Sequence, residues 1–247
     1  MNTSQYKNES SAVQVLDLGF ESLYSNLRER EKRVYTDDEL RRLPDIDSSH
    51  IHFKEWQSRK YTSQKLIAYL VKAKRPLEIL EIGCGNGWLS SKLSSIKGSR
   101  VIGLDMNEVE IEQAKRVFKR SNLQFIQDSF RPEMFCAVKF DIILFAASIQ
   151  YFSKLTDVLG NALQCLAANG EIHIMDTPFY NPDEIDGAAQ RAKNYFASLG
   201  CLEMAAYYFH HPLNNLKQFN YKVLRNPVSL INRILRRQVF YWIAVTH

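Results

Sequence analysis

This sequence predicts an α/β fold, a parallel sheet with helices on both faces, and three observations support that prediction. From Leu66 to Ala167, short apolar runs alternate with stretches of helical period. One of those runs passes directly into three alternating glycines, Gly83, Gly85 and Gly87, and a helical stretch follows. An acidic residue, Asp105, closes the next run in Val-Ile-Gly-Leu-Asp. A chain of 247 residues suits one such domain with appendages.

The elements follow in order. Leu66, Ile67, Leu70 and Val71 form a helical stripe, stopped by Arg75-Pro76. Leu77 to Ile82 is a buried-strand run, and Trp88, Leu89, Leu93 and Ile96 mark the helix after the glycines. Val101 to Leu104 is the second strand. Asn107 then reads as an N-cap, with Glu108, Glu110 and Glu112 in the first turns and Lys115, Arg116, Lys119 and Arg120 near the end. That charge order complements a helix dipole. Leu123 to Ile126 and Phe140 to Phe145 are the third and fourth strands. Leu155 to Leu166 is a helix that Asn169-Gly170 should end, and Glu171 to Met175 is the fifth strand. Asn181-Pro182-Asp183-Glu184 opens a further helix, closed by Gly200, and two strand-like runs finish the chain near Phe219 to Leu224 and Val239 to Val245.

The flanks differ from this core. Residues 1–60 carry a charged tract from Arg28 to Arg42, expected as a solvated helix or lid, and residues 61–247 form the domain proper. Hydrophobic residues at 45% and charged residues at 24% exclude wholesale disorder. The net charge of +5 collects beyond Cys201, where six basic residues face only Glu203. That patch is too small to argue for nucleic-acid binding. A basic tail helix, with Leu230, Ile231, Ile234 and Leu235 among Arg233, Arg236 and Arg237, would either be solvated or touch acidic lipid. Cys84, Cys136, Cys165 and Cys201 are far apart and lack metal spacing, so reduced thiols, a cytoplasmic location and no metal are expected. Neither a signal peptide nor a membrane span is visible, the longest apolar run, around Ile142 to Ile149, being too short.

The segment Glu81-Ile82-Gly83-Cys84-Gly85-Asn86-Gly87 carries the functional argument. Glycine permits a tight turn and lets backbone approach a ligand, and the helix N-terminus behind it favours negative charge. The dinucleotide fingerprint requires glycine where Trp88 stands, and the phosphate loop's Gly-Lys-Ser/Thr is missing. What remains is hydrophobic-Glu-hydrophobic-Gly-x-Gly-x-Gly.

That form resembles the class I S-adenosylmethionine-dependent methyltransferases. Asp105, Asp128-Ser129 in Phe-Ile-Gln-Asp-Ser, the segment Phe140 to Phe152, and Asn169-Gly170-Glu171 agree with it in order, over residues 60–176. The resemblance implies a three-layer sandwich with a seven-stranded, mostly parallel sheet whose last strand is antiparallel. It implies methyl transfer from S-adenosylmethionine to a small or medium-sized acceptor, a metabolite, natural product or glycan. It also places Glu81, Gly83, Cys84, Gly85, Asn86, Gly87, Asp105, Met106, Asp128, Ser129 and Phe145 at the cofactor. Arg59 is a further candidate there, for the methionine carboxylate. Asp105 would take the ribose hydroxyls and Asp128 the adenine amino group.

Simpler roles compete at several positions. Cys84 reads as a filler between glycines, and Asp-Ser after a strand is ordinary turn chemistry at Asp128. His210 and His211 are base candidates or a packing pair, and Tyr151 borders the methyl group or packs in the core. Residues 177–211, rich in aromatics, are expected to wall the acceptor pocket. Asp176-Thr177-Pro178-Phe179 is like an exocyclic-amine methylation motif but follows the fifth strand instead of the fourth, so nucleic-acid methylation is disfavoured. Two rival readings remain: a nicotinamide-dependent oxidoreductase, opposed by Trp88, and a non-catalytic cofactor-binding or scaffold protein, opposed by Glu81, Asp105 and Asp128.

Overall fold

The computed structural model describes residues 19–227 and 240–247. The basic tail of the sequence, from Leu230 to Arg237, lies outside the described residues. Helix α1 covers residues 19–30, α2 Asp37–Arg42 and α3 Phe53–Leu70. The alternating core follows as β1 Glu78–Ile82, α4 Trp88–Leu93, β2 Arg100–Asp105, α5 Glu108–Val117, β3 Leu123–Gln127, β4 Phe140–Ala146, α6 Leu155–Cys165 and β5 Leu166–Thr177. Helix α7, Ile185–Ser198, and strands β6, Asn220–Arg225, and β7, Tyr241–Thr246, complete the chain.

The seven strands lie in the order β3-β2-β1-β4-β5-β7-β6. All neighbours run parallel except β7, which is antiparallel to both β5 and β6. The expected sheet, last strand included, is therefore the one observed. The crossover connections put helices on both faces, and each strand buries alternate residues on opposite sides. On one face Leu80, Ile82, Ile143, Phe145, Ile172 and Ile174 pack under α6. On the other, Ile79, Val101, Ile142, Leu144 and Met175 pack under α3 and α4. Asn107 caps α5 through its Oδ1, which accepts from the Glu110 N–H at 3.0 Å. That helix ends at Val117, before Lys119 and Arg120.

Two expectations are corrected. Asn169-Gly170 does not end α6, which stops at Cys165 where Leu166 turns extended at φ −82°, ψ 141°. The pair lies inside β5, at a register shift against Phe140 and Ile142, and Gly170 is packed where a Cβ would meet Leu166 and the Asp141 carbonyl. The boundary at residue 60 falls inside α3. From Tyr35 onward the N-terminal extension is built into the domain: Tyr35, Leu40, Leu43 and Trp56 are buried with Trp88 and Leu89 in the second core cluster. Full burial of a side chain of this kind contributes about 1.5–3 kcal/mol, so this segment is structural core rather than solvated cover.

Candidate functional site

The site is built at the carboxyl edge of β1, β2, β4 and β5. Beyond β1 the chain turns through Gly83, Gly85 and Gly87 at φ +73°, +51° and +73°. The three glycines serve different needs. A Cβ on Gly83 would lie 2.4 Å from the Ser148 Cβ, and one on Gly87 2.4 Å from the Phe125 ring, so both positions are fixed by packing as well as by φ. Gly85 is less crowded: the nearest atom to its would-be Cβ is Glu110 Oε2, at an ordinary contact distance of 3.7 Å. The Cys84 thiol lies 3.6 Å from its carbonyl oxygen.

Asp105 holds this loop in place. Its Oδ2 accepts from the Gly85 N–H at 2.7 Å and its Oδ1 from the Asn107 N–H at 2.9 Å. Burial pushes its carboxyl up to about 6 against those two donors. Glu81, on the α4 face of β1, is buried and accepts from the Ser90 hydroxyl at 2.5 Å. Burial pushes it up to about 8 despite that bond. Asn86 is 5% exposed in the same turn. The thiol of Cys84 is buried and raised by that burial, which fits the filler role.

Next to the loop lies a cavity of about 1410 Å³. Its floor is the turn after β4, with Ala147, Gln150 and Tyr151, and the end of β5, with Asp176; its walls come from α1, α3 and α7. Aromatic rings line one side: Tyr151, Tyr208, His210 and Tyr180 contact one another in series at centroid distances of 5.3–5.8 Å. An ionic group lines the other. Arg33 bonds both Glu55 oxygens at 2.8 and 2.5 Å, and Arg59 bonds Glu55 Oε1 at 3.0 Å. Burial opposes the charge on Glu55, but the Arg33 hydrogen bonds and the Arg59 charge hold its carboxyl at about 2. Arg59 also acts electrostatically on Glu81 and Asp176, so it stands between the loop and the cavity.

Helix α1 spans both parts. Asn107 donates to Ser25 Oγ at 2.9 Å, the Glu108 N–H donates to Glu21 at 2.6 Å, and Arg28 pairs with Glu110 at 3.3 Å. On the cavity side Arg30 donates to the Leu199 carbonyl at 3.0 Å, and Phe20 and Tyr24 stack around Tyr151.

The structure thus brings Glu81, Gly83, Cys84, Gly85, Asn86, Gly87 and Asp105 into one loop assembly, with Arg59 and Tyr151 on the adjoining cavity. Met106 follows Asp105 directly. Asp128 sits one strand further out, bonded by the Ser129 N–H and Arg131, both at 2.8 Å. Phe145 is corrected: the twofold alternation of β4 points it at the α6 face, where it is fully buried edge-on to Phe152 and has no surface for a ligand. His211 is also corrected. It is buried with its Nε2 3.1 Å from the Ile149 carbonyl, a contact that pins the 208–212 segment instead of facing the cavity. His210 does line the cavity, and burial lowers its pKa. Sequence reasoning passed over Glu55, Arg33 and Tyr24, because ordinary residue types become a site only when the fold gathers them. It set Asp176 aside because the motif around it was in the wrong place.

A family model described as a methyltransferase domain matches residues 79–170. The malonyl-[acyl-carrier protein] O-methyltransferase of Halalkalibacterium halodurans is 29% identical over 133 residues, 50% of this chain and 49% of that protein. The ubiquinone biosynthesis O-methyltransferase of Pelagibacter ubique is 30% identical over 104 residues, 42% of this chain and 43% of that protein. The match to these relatives therefore covers about half of their length or less. Among solved structures, the plantazolicin methyltransferase BpumL, in complex with a triazolic desmethylPZN analog and SAH, superposes with a TM-score of 0.56 at 18% identity, covering 96% of this chain and 99% of that one. Magnesium protoporphyrin IX methyltransferase from Synechocystis PCC 6803 with bound SAH gives 0.57 at 15% identity, covering 89% and 94%. Residues 79–170 thus match a methyltransferase domain, and the chain shares its fold with these solved methyltransferases.

The residues present fit the cofactor that this fold implies. Gly85 has room for close approach, with only ordinary contacts at a would-be Cβ, Asn86 is buried in the same turn, and Asp105 is a half-buried carboxylate at the neighbouring strand end.

Proposed function

We propose that this protein transfers the methyl group of S-adenosylmethionine to a small or medium-sized acceptor bound in the cavity beside the glycine loop. One observation carries the reading: the glycine turn held by Asp105 stands beside Arg59, which lines a cavity walled by aromatic rings and polar side chains. Gly83 to Gly87 and Asn86 would hold the cofactor, Asp105 would accept from its ribose hydroxyls, and Arg59 would face its carboxylate end. When bound, the cofactor supplies a methyl group on a positively charged sulfur with a neutral leaving group. The chain's own residues then have two tasks: holding the acceptor in line with that methyl group and keeping water away. Tyr151, Tyr180, Tyr208 and Phe196 provide the apolar walls, and α1 covers the junction between loop and cavity.

The test is calorimetric. S-adenosylhomocysteine should bind one per chain, and Asp105→Ala should weaken it by more than about tenfold, because charge-assisted bonds are worth roughly 1.5–3 kcal/mol each. Absence of binding to folded wild-type protein would overturn the reading.

A further inference from the structure

Resting on that reading, we propose that Asp176 is the proton acceptor of the reaction, and that the acceptor molecule therefore attacks through a proton-bearing oxygen or nitrogen (a phenol, alcohol or amine) and not through a ready-made carboxylate.

Among the described residues only four non-glycines have positive φ, and two of them, Ala147 at +56° and Asp176 at +54°, are neighbours in space. Ala147 follows β4 and Asp176 is the penultimate residue of β5, at a register shift against β7; Ala146 is in register with Met175, and the Ala147 N–H donates to the Met175 carbonyl at 2.9 Å. The two segments are tied together: Thr177 Oγ1 donates to Gln150 Oε1 at 2.9 Å, and Gln150 Nε2 donates to the Ala147 carbonyl at 2.7 Å. A side-chain residue in the left-handed region is strained, and such strain persists where surrounding structure enforces it, often at working sites. The effect at 176 is to hold a carboxylate on the cavity floor.

That carboxylate is aimed. Thr62 Oγ1, from α3, donates to Asp176 Oδ2 at 3.0 Å. Oδ1 has no hydrogen-bond partner among the described residues and is not sealed from solvent, so it opens on the cavity. Burial raises the pKa of this group, against the charges of Arg59 and Arg225 and the Thr62 bond, which makes it a better base than a surface aspartate. The turn after β4 comes next to the glycine loop: the Ser148 hydroxyl donates to the Ile82 carbonyl at 2.6 Å. Asp176 therefore lies one strand beyond that junction, on the acceptor's side.

In the step, a lone pair on the acceptor oxygen or nitrogen forms a bond to the methyl carbon as the carbon–sulfur bond breaks. The electrons of that bond stay on sulfur, leaving neutral S-adenosylhomocysteine, and the acceptor's proton passes to Asp176 and then to solvent. A carboxylate acceptor has no proton to give and would be repelled by Asp176.

The experiment needs no acceptor. Sinefungin carries an amine where S-adenosylmethionine carries its methyl, so its ammonium group occupies the place of the transferring carbon. Wild-type protein should bind sinefungin about tenfold or more tighter than S-adenosylhomocysteine, as expected for a charge-assisted pair. Asp176→Asn, whose side chain tolerates the left-handed region and can still accept from Thr62, should erase that preference while leaving S-adenosylhomocysteine affinity unchanged. No preference in the wild type, or a preference kept in Asp176→Asn, would overturn the proposal. Loss of both ligands in the variant would overturn it as well, because Asp176 would then be scaffolding. If S-adenosylhomocysteine fails to bind the wild type, the cofactor reading falls first and this inference with it.

Discussion

The two halves of the site turn the chain in the same way with opposite residue types. After β1 the left-handed positions are Gly83, Gly85 and Gly87; after β4 and at the end of β5 they are Ala147 and Asp176. Glycine relieves strain and removes the side chain, which suits a loop whose backbone is the binding surface. The other half accepts the strain and keeps a methyl group and a carboxylate. On the proposed reading, the contrast separates a cofactor half, made of main chain, from an acceptor half, made of side chains.

The largest effect should come from exchanging the two solutions. Gly87→Ala places a Cβ 2.4 Å from Phe125 and 3.0 Å from the Ala114 Cβ, at φ +73°. Strain and overpacking together should destabilise the fold by about 2–4 kcal/mol. Ala147→Gly relieves a strained residue at the usual cost of glycine's unfolded-state entropy, so it should shift stability by less than about 1 kcal/mol. Urea unfolding of both variants measures the difference. A similar loss in both would show that Ala147 is held by packing and not merely tolerated, and the contrast would fail.

The same division explains what could be read in the sequence. The cofactor half is local: Glu81 to Asp105 spans two strands and one turn, so spacing alone revealed the loop, the strand-end carboxylate and the cap at Asn107. The sheet order follows from the alternation of strands and helices together with the resemblance. The acceptor half brings together residues from α1, α3, the turn after β4, the end of β5, and α7, so no window of sequence contains it. Phe145 was misassigned because β4 is apolar on both faces, which hides the alternation that sends it to the α6 side. His211 looked like a base because its sequence neighbour is one that faces the cavity, whereas its own ring meets the Ile149 carbonyl. Asn169-Gly170 has helix-ending chemistry, but pairing of β5 with the start of β4 extended the strand through it.

An intermediate effect should appear in pH dependence, and it sharpens the claim that the cofactor half stores unfavourable electrostatics. Glu81 is buried beneath α4 and pushed up to about 8, well above an ordinary glutamate. A carboxyl raised in the folded state binds its proton more tightly there than in the unfolded chain. Its contribution to stability is therefore fully present below about pH 4.5 and is lost progressively as pH rises towards 8. Asp105, raised to about 6, acts in the same direction over a lower window. Glu81→Gln keeps an acceptor for the Ser90 hydroxyl and cannot ionise. The variant should be more stable than wild type at pH 8, with the gap closing by pH 5. Melting temperatures across that range provide the measurement, and a gap independent of pH would mean that Glu81 is not protonated in the fold.

The smallest expected effect concerns the one element that touches both halves. Helix α1 reaches α5 through Ser25 and Glu21 and reaches the acceptor wall through Arg30, Phe20 and Tyr24. Unlike the segment from Tyr35 to Trp56, it contributes few residues to the main cores; Leu27 packs in a small cluster with Phe196, Cys201 and Met204. If α1 is a cover over an independently stable loop, cutting its ties to α5 should loosen the helix alone. The double change Glu21→Ala with Ser25→Ala removes two hydrogen bonds, each worth about 0.5–1.5 kcal/mol. Amide exchange should quicken in residues 20–30 while β1, β2 and β4 keep their protection, and S-adenosylhomocysteine affinity should stay within about threefold of wild type, since both bonds are made by groups other than the glycine loop. Faster exchange in β1 and β2 to the same degree would mean that α1 belongs to the cooperative core of the cofactor half, and the division between a main-chain half and a side-chain half would have to be redrawn to include it.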